Sequence, residues 1–211
     1  SLNDGFCLGE PHWYWHSRNQ NMGVVQEHCF GKVSGYISTD LDIHELLGWI
    51  QYRLQEGDYR LGGYKETWFV HNPLVRPITE EHKDRVEFFL VVFRHPIQVH
   101  SSQRALGWIE ARDTNTIIDG YKDLDRIAQH PKAIPIIYEQ FALDPLNYLN
   151  ARLPFRIEGV LNLKPTGHEY GDPYANQADR IELHQREVCL SQPIIEQHGE
   201  TVAIWEKWSR S

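Results

Sequence analysis

A mixed α/β fold follows from three observations on this sequence. Short apolar runs rich in β-branched and aromatic residues alternate with stretches whose apolar side chains recur at helical spacing. Pro, Gly and Asp punctuate the boundaries between them. The strongest run, Val86–Phe93 (VEFFLVVF), carries seven apolar or aromatic side chains in eight residues. Such a run fits a strand buried on both faces, as in a parallel sheet. Strands that alternate with helices imply a parallel sheet flanked by helices. The 211 residues, 41% hydrophobic and 24% charged, suffice for one well-buried domain, and no break in composition divides them. The expectation is therefore a single α/β domain over 1–211 with a central parallel sheet.

Each element has its own signal. Thr39–Leu54 reads as an amphipathic helix, with Ile43, Leu46, Leu47, Ile50 and Leu54 on one face. Asp42 and Glu45 have the spacing of a capping box, and Gly57 stops the helix. Leu61–Val70 reads as a strand with a polar middle, and His71–Arg85 as a loop or short helix. The strand at Val86–Phe93 ends at Arg94, because Pro96 has no N–H and a fixed φ and must leave the ladder. A helix follows, with Ser101 and Ser102 in its first turns. Thr116–Gln129 places Ile117, Ile118, Tyr121, Leu124, Ile127 and Ala128 at helical spacing, and His130-Pro131 ends it. Ile134–Tyr138 is a second buried strand, and Asp144 caps a helix that begins at Pro145. The tail, Gln185–Trp208, reads as a helix packing through Ile194, Ile195, Val202, Ile204 and Trp205. There is no internal repeat and no low-complexity segment.

Composition narrows the function. A net charge of −8 argues against a general nucleic-acid binder, so any anion pocket must be a local basic feature. Cys7, Cys29 and Cys189 are odd in number and far apart, which points to reduced thiols. His12 and His16 share a helical spacing, but no third ligand is placed by spacing, and no metal is expected. No apolar run approaches membrane-spanning length and no signal-peptide pattern opens the chain, so the expected location is cytoplasmic.

The chemistry concentrates after the strongest strand. Ligands of open α/β sheets bind outside the carboxyl ends of strands. Arg94 at such an end, with hydroxyls and free N–H groups at the start of the next helix, makes a phosphate pocket. The Arg-x-Pro pattern with a serine eight residues after the arginine, Arg94 to Ser102, resembles the 3′-phosphate-binding segment of sulfotransferases. These enzymes take a sulfuryl group from 3′-phosphoadenosine 5′-phosphosulfate (PAPS). IPIIYEQFALDPLNYLNARL, Ile134–Leu153, is similar to the family's next strand, its Tyr-Glu ending and its Asp-Pro helix start. GHEYGDPYANQADRI, Gly167–Ile181, resembles the nucleotide-covering segment of bacterial members. The three lie in family order.

The resemblance implies a P-loop nucleotide-kinase-like sulfotransferase fold and PAPS as co-substrate. It implies Arg94 as the 3′-phosphate cation, with Ser102 as the matching hydroxyl and Ser101 the neighbouring alternative. Gly171 and Arg180 would cover the nucleotide. Lys65 looks like the strand-edge lysine that neutralises the bridging oxygen, although an alternating strand also places lysines on solvent faces. Glu10 and His12 fall on the acceptor side, with His12 or His71 as a base. Tyr138 and Glu139 close a strand end, and Trp13-Tyr14-Trp15 would line an apolar or sugar-binding acceptor pocket or pack in the core. The family's Ser-Gly-Thr phosphosulfate loop is not among these residues, and Gly9-Glu10-Pro11 resembles sequence that follows the family's first helix. The expectation is that a strand and that loop precede Ser1. The acceptor would be a small molecule or glycan bearing a hydroxyl or amine. Two other readings stand beside this one: a non-catalytic relative that binds a nucleotide or glycan, and a nucleotide kinase-like phosphotransferase.

Overall fold

The computed structural model describes residues 5–9, 11–12, 43–56, 59–66, 76–105, 115–158, 196 and 198–211, with backbone alone at 76–80, 101–105 and 115–116. The chain falls into two compact units, Ser1–Glu87 and Phe88–Ser211. Each holds one parallel strand pair, so the fold is mixed α/β. Among the described residues the strands form two two-stranded sheets, one per unit, where a single central sheet is expected from the sequence.

In the first unit, β1 (Gly5–Gly9) pairs in parallel with β2 (Leu61–Lys65), from Gly5 opposite Leu61 to Gly9 opposite Lys65. A parallel pair needs a long crossover. Here it includes a 3₁₀ turn, Ile43–Glu45, and α1 (Leu46–Gln55). The helical stripe reads as the sequence implies. Ile43, Leu46, Leu47 and Ile50 are buried, join Trp49 and Leu8 in one core, and receive Leu54, Phe6, Tyr64 and Val86 at its margin. The start differs: Glu45 takes the N-cap position and makes no side-chain cap, while Asp42 and Gly57 lie outside the described residues. The close approach of β2 to this core is set by Gly62. A Cβ there would meet the Phe6 ring at 2.8 Å, and Phe6 is itself held edge-on by Trp49 and Tyr59. The stretch expected as a loop or short helix contains α2 (Arg76–Arg85). Cys7 is a free thiol.

In the second unit, β3 (Phe89–Phe93) pairs in parallel with β4 (Ala133–Ile137), Phe93 lying opposite Ile137. The connection carries α3 (Pro96–Ala105) and α4 (Asn115–Ala128). Burial along β3 alternates. Val91 and Phe93 are 3% and 0% exposed, whereas Leu90 and Val92 are 45% and 51% exposed. The expectation of burial on both faces is corrected to one. An uninterrupted apolar run hides the period-two pattern that would have shown it. Pro135, opposite Val91, has no N–H to give a further strand, and β4 has β3 as its sole ladder partner among the described residues.

Helix α4 buries Ile117, Tyr121, Ile127 and Ala128 and turns into β4 at His130, whose carbonyl accepts from Ala133 N–H at 2.9 Å. After β4 come α5 (Tyr138–Leu143) and α6 (Pro145–Asn150). Asp144 caps α6 as expected, its Oδ1 accepting from Asn147 N–H and its Oδ2 from the Asn147 amide at 2.7 Å. The buried Tyr148 hydroxyl accepts the last ladder N–H of β4, from Ile137, at 2.8 Å. The tail helix, α7 (Gly199–Ser209), buries Thr201 and half-buries Val202, Ile204 and Trp205. Ile194 and Ile195 lie outside the described residues. It is fixed chiefly through tryptophans: Trp208 stacks on Phe93 and donates to Asp125 Oδ1 at 2.7 Å, beside the Lys207 ammonium at 2.6 Å.

Candidate functional site

In the second unit, the chain leaves β3 at Arg94 and enters α3 at Pro96, the place the sequence marks for an anion. Arg94 is half-buried. Its guanidinium lies over the Tyr138 ring with Cζ 5.1 Å from the centroid, and its Nε donates to Gln98 Oε1 at 3.1 Å. No hydrogen bond or ion pair engages its two terminal nitrogens among the described residues. An ordinary strand-end arginine would be spent on a carboxylate. This one rests on an aromatic face with its fork open, beside the start of α3.

Two side chains fix the backbone at this point. The Tyr121 hydroxyl on α4 donates to the carbonyl of Arg94. Glu139 Oε1 on α5 accepts the N–H of His95 at 2.7 Å, and its Oε2 accepts from Trp205 Nε1 on α7 at 3.2 Å. The buried His95 ring meets Trp205 edge-on at 4.7 Å. Burial, with the nearby Glu139 charge, pushes the Tyr121 phenol far above its usual range against the lowering effect of Arg94, so it remains a donor. Glu139 thus closes the strand end, as the sequence reading has it, through both of its oxygens.

Ser101 and Ser102 are the sixth and seventh residues of α3, within the first turns where the sequence puts them. Their backbone is described, and their hydroxyl directions are not. Gly171, Arg180, Glu10, His71 and Trp13–Trp15 lie outside the described residues.

The first unit gathers a polar cluster at the carboxyl end of its strand pair. His12 follows β1 and Glu66 follows β2. One carboxylate oxygen, Glu66 Oε1, accepts the His12 backbone N–H at 2.7 Å and lies 2.9 Å from its Nδ1. With the carboxylate as acceptor, Nδ1 carries a proton. Tyr64 donates its hydroxyl to His82 Nδ1 at 2.8 Å, and the His12 ring packs against both Tyr64 and His82. Burial and then the Glu66 charge raise the Tyr64 phenol beyond its usual range, which keeps it a donor.

This cluster has the orientation of an acid–base pair but not its access. His12 is 0% exposed and His82 2%. His12 Nε2, Glu66 Oε2 and His82 Nε2 are buried without a hydrogen-bond partner. In this arrangement His12 Nε2 is buried, so an acceptor hydroxyl would reach it only after a rearrangement of the cluster. Glu66, Tyr64 and His82 were not singled out from sequence. A Tyr-Lys-Glu run on a strand gave one signal, since alternation turns Tyr64 and Glu66 to the face opposite Lys65. Lys65 is exposed at the last position of β2.

No group of three His, Cys, Asp or Glu side chains among the described residues is arranged to hold a metal ion. A depression of about 350 Å³ in the second unit is lined by Asn147, Asn150, Leu153, Pro154, Phe155 and Arg156. None of the sequence-marked residues lines it. Its amides are already engaged, Asn150 with Ile157 and Asn147 with Asp144. No helix among the described residues is long and apolar enough to cross a membrane. No family model, no curated protein and no solved structure matches the chain.

Proposed function

We propose that this chain is a PAPS-dependent sulfotransferase, with the nucleotide-kinase-like fold that this activity carries in its family, and that the turn from β3 into α3 takes the 3′-phosphate of the donor. The observation that carries the reading is the open fork of Arg94 beside a helix start. A guanidinium of this kind binds a phosphate by two parallel charge-assisted bonds. In the reaction an acceptor hydroxyl or amine attacks sulfur as the bridging oxygen–sulfur bond breaks. The products are the sulfated acceptor, adenosine 3′,5′-bisphosphate and a proton. The transition state is loose, so the protein's share is to align donor and acceptor and to stabilise charge on the leaving phosphate. Lys65 is the residue we assign to that charge.

Because charge on the bridging oxygen grows only as the bond breaks, Lys65→Ala should lower turnover about a hundredfold and leave nucleotide affinity nearly unchanged. The experiment is single-turnover transfer from radiolabelled PAPS to a panel of phenol, carbohydrate and amine acceptors, beside a nucleotide titration of the same variant. Transfer by the native protein supports the reading, and equal losses in rate and binding would move Lys65 to the donor site. A second reading is a non-catalytic nucleotide- or glycan-binding protein, favoured by the complete burial of His12. Nucleotide binding with no transfer to any acceptor selects it, and failure to bind or transfer removes both.

A further inference from the structure

The bond between Arg94 and His95 is a single peptide unit, and both of its polar atoms are held by side chains from other elements. Its carbonyl accepts from the Tyr121 hydroxyl on α4, and its N–H donates to Glu139 on α5. Peptide units at the end of a strand normally lose their ladder partners and turn to water or to the next helix. Here the plane is set from both sides, by the buried Tyr121 and the half-buried Glu139. We infer that Tyr121 and Glu139 are positioning residues for Arg94, clamping the peptide that follows it so that the guanidinium is presented to a 3′-phosphate before the ligand arrives. The inference rests on the phosphate reading of Arg94.

The clamp has a built-in tie to the tail helix. Glu139 spends its second oxygen on Trp205, whose ring also packs on His95. Arg94 is thus oriented at three levels: its backbone by Tyr121 and Glu139, its guanidinium face by Tyr138, and its Nε by Gln98. A flexible arginine loses side-chain and backbone freedom when it grips a ligand, and a preset one loses less. The benefit of the clamp should therefore be seen only by ligands that use Arg94.

The test is the ratio of two affinities, for adenosine 3′,5′-bisphosphate and for adenosine 5′-monophosphate, measured by calorimetry on the full native protein. Tyr121→Phe keeps the ring and removes the donor. Glu139→Gln offers the same shape and sets an amide against Trp205. Each should lower the ratio about five- to tenfold while the monophosphate affinity stays level. Tyr148→Phe, which breaks a buried bond at the end of β4, serves as the control: it should lower stability and leave the ratio alone. In an Arg94→Ala background the Tyr121 and Glu139 changes should no longer move the ratio, because the residue they act through is gone. Unchanged ratios in both single variants, with the bisphosphate still preferred by the native protein, overturn the clamp and spare the phosphate reading. A native protein with no preference between the two nucleotides overturns both.

Discussion

Replacing Glu66 with alanine removes the oxygen that takes both the backbone N–H and the ring of His12. Two buried polar groups then lose their partner, in a cluster where His12 Nε2 and His82 Nε2 already have none. Each orphaned group costs about 1–3 kcal/mol, so Glu66→Ala should lower the unfolding free energy read from a denaturant titration by an amount in or above that range. A shift within the scatter of surface variants would mean that the pair is not formed in solution. His82, in the same cluster, sets a pH dependence. Burial pushes its imidazole down from 6.5 to about 4, with His12, Arg85 and His44 acting in the same direction. Between those values the unfolded chain binds the proton and the folded chain does not. The stability supplied by a neutral His82 is complete above about pH 6.5 and is lost as the pH falls toward 4. Denaturant titrations across that window should show falling stability, with a shallower fall in His82→Asn, whose short amide still meets Tyr64. Equal slopes in the two proteins would contradict the assignment.

At the scale of elements, Gly62 gives the sharpest test of packing. A Cβ there must displace the Phe6 ring, which Trp49 and Tyr59 pin from two sides, so Gly62→Ala should destabilise by about 1–3 kcal/mol. Thermal or denaturant unfolding reads this directly, and a stabilised variant would show that the ring yields freely. Much of the element order was legible beforehand. The apolar spacing of α1 and α4, the Pro-Asp signals around Asp144, and the break at Pro96 are local properties, and local chemistry decides them. What escaped was set by tertiary contact. The one-sided burial of β3 could not be told from its all-apolar sequence. The candidate site divides in the same way. Arg94 was visible from its place after a strand. Tyr121 looked like one more core position on α4, and its hydroxyl matters only because the fold brings it to the Arg94 carbonyl. Glu66 lies 54 residues from His12 and meets it only because β1 pairs in parallel with β2, and His82 joins the same cluster through Tyr64.

For the whole molecule, the chain carries a net charge of −8, so nonspecific attraction of an anionic nucleotide is disfavoured. Affinity for a doubly phosphorylated adenosine must then come from a local arrangement, and Arg94 with the start of α3 is the arrangement on offer. The most direct measurement is calorimetric titration of the full native protein and its Arg94→Ala variant with adenosine 3′,5′-bisphosphate and its 2′,5′-isomer at physiological salt. The account predicts preference for the 3′,5′-isomer in the native protein. In Arg94→Ala that affinity should fall roughly ten- to a hundredfold, as loss of a charge-assisted contact worth about 1.5–3 kcal/mol requires, and the preference should collapse. Equal weakening of both isomers, or no binding of either by the native protein, would contradict it.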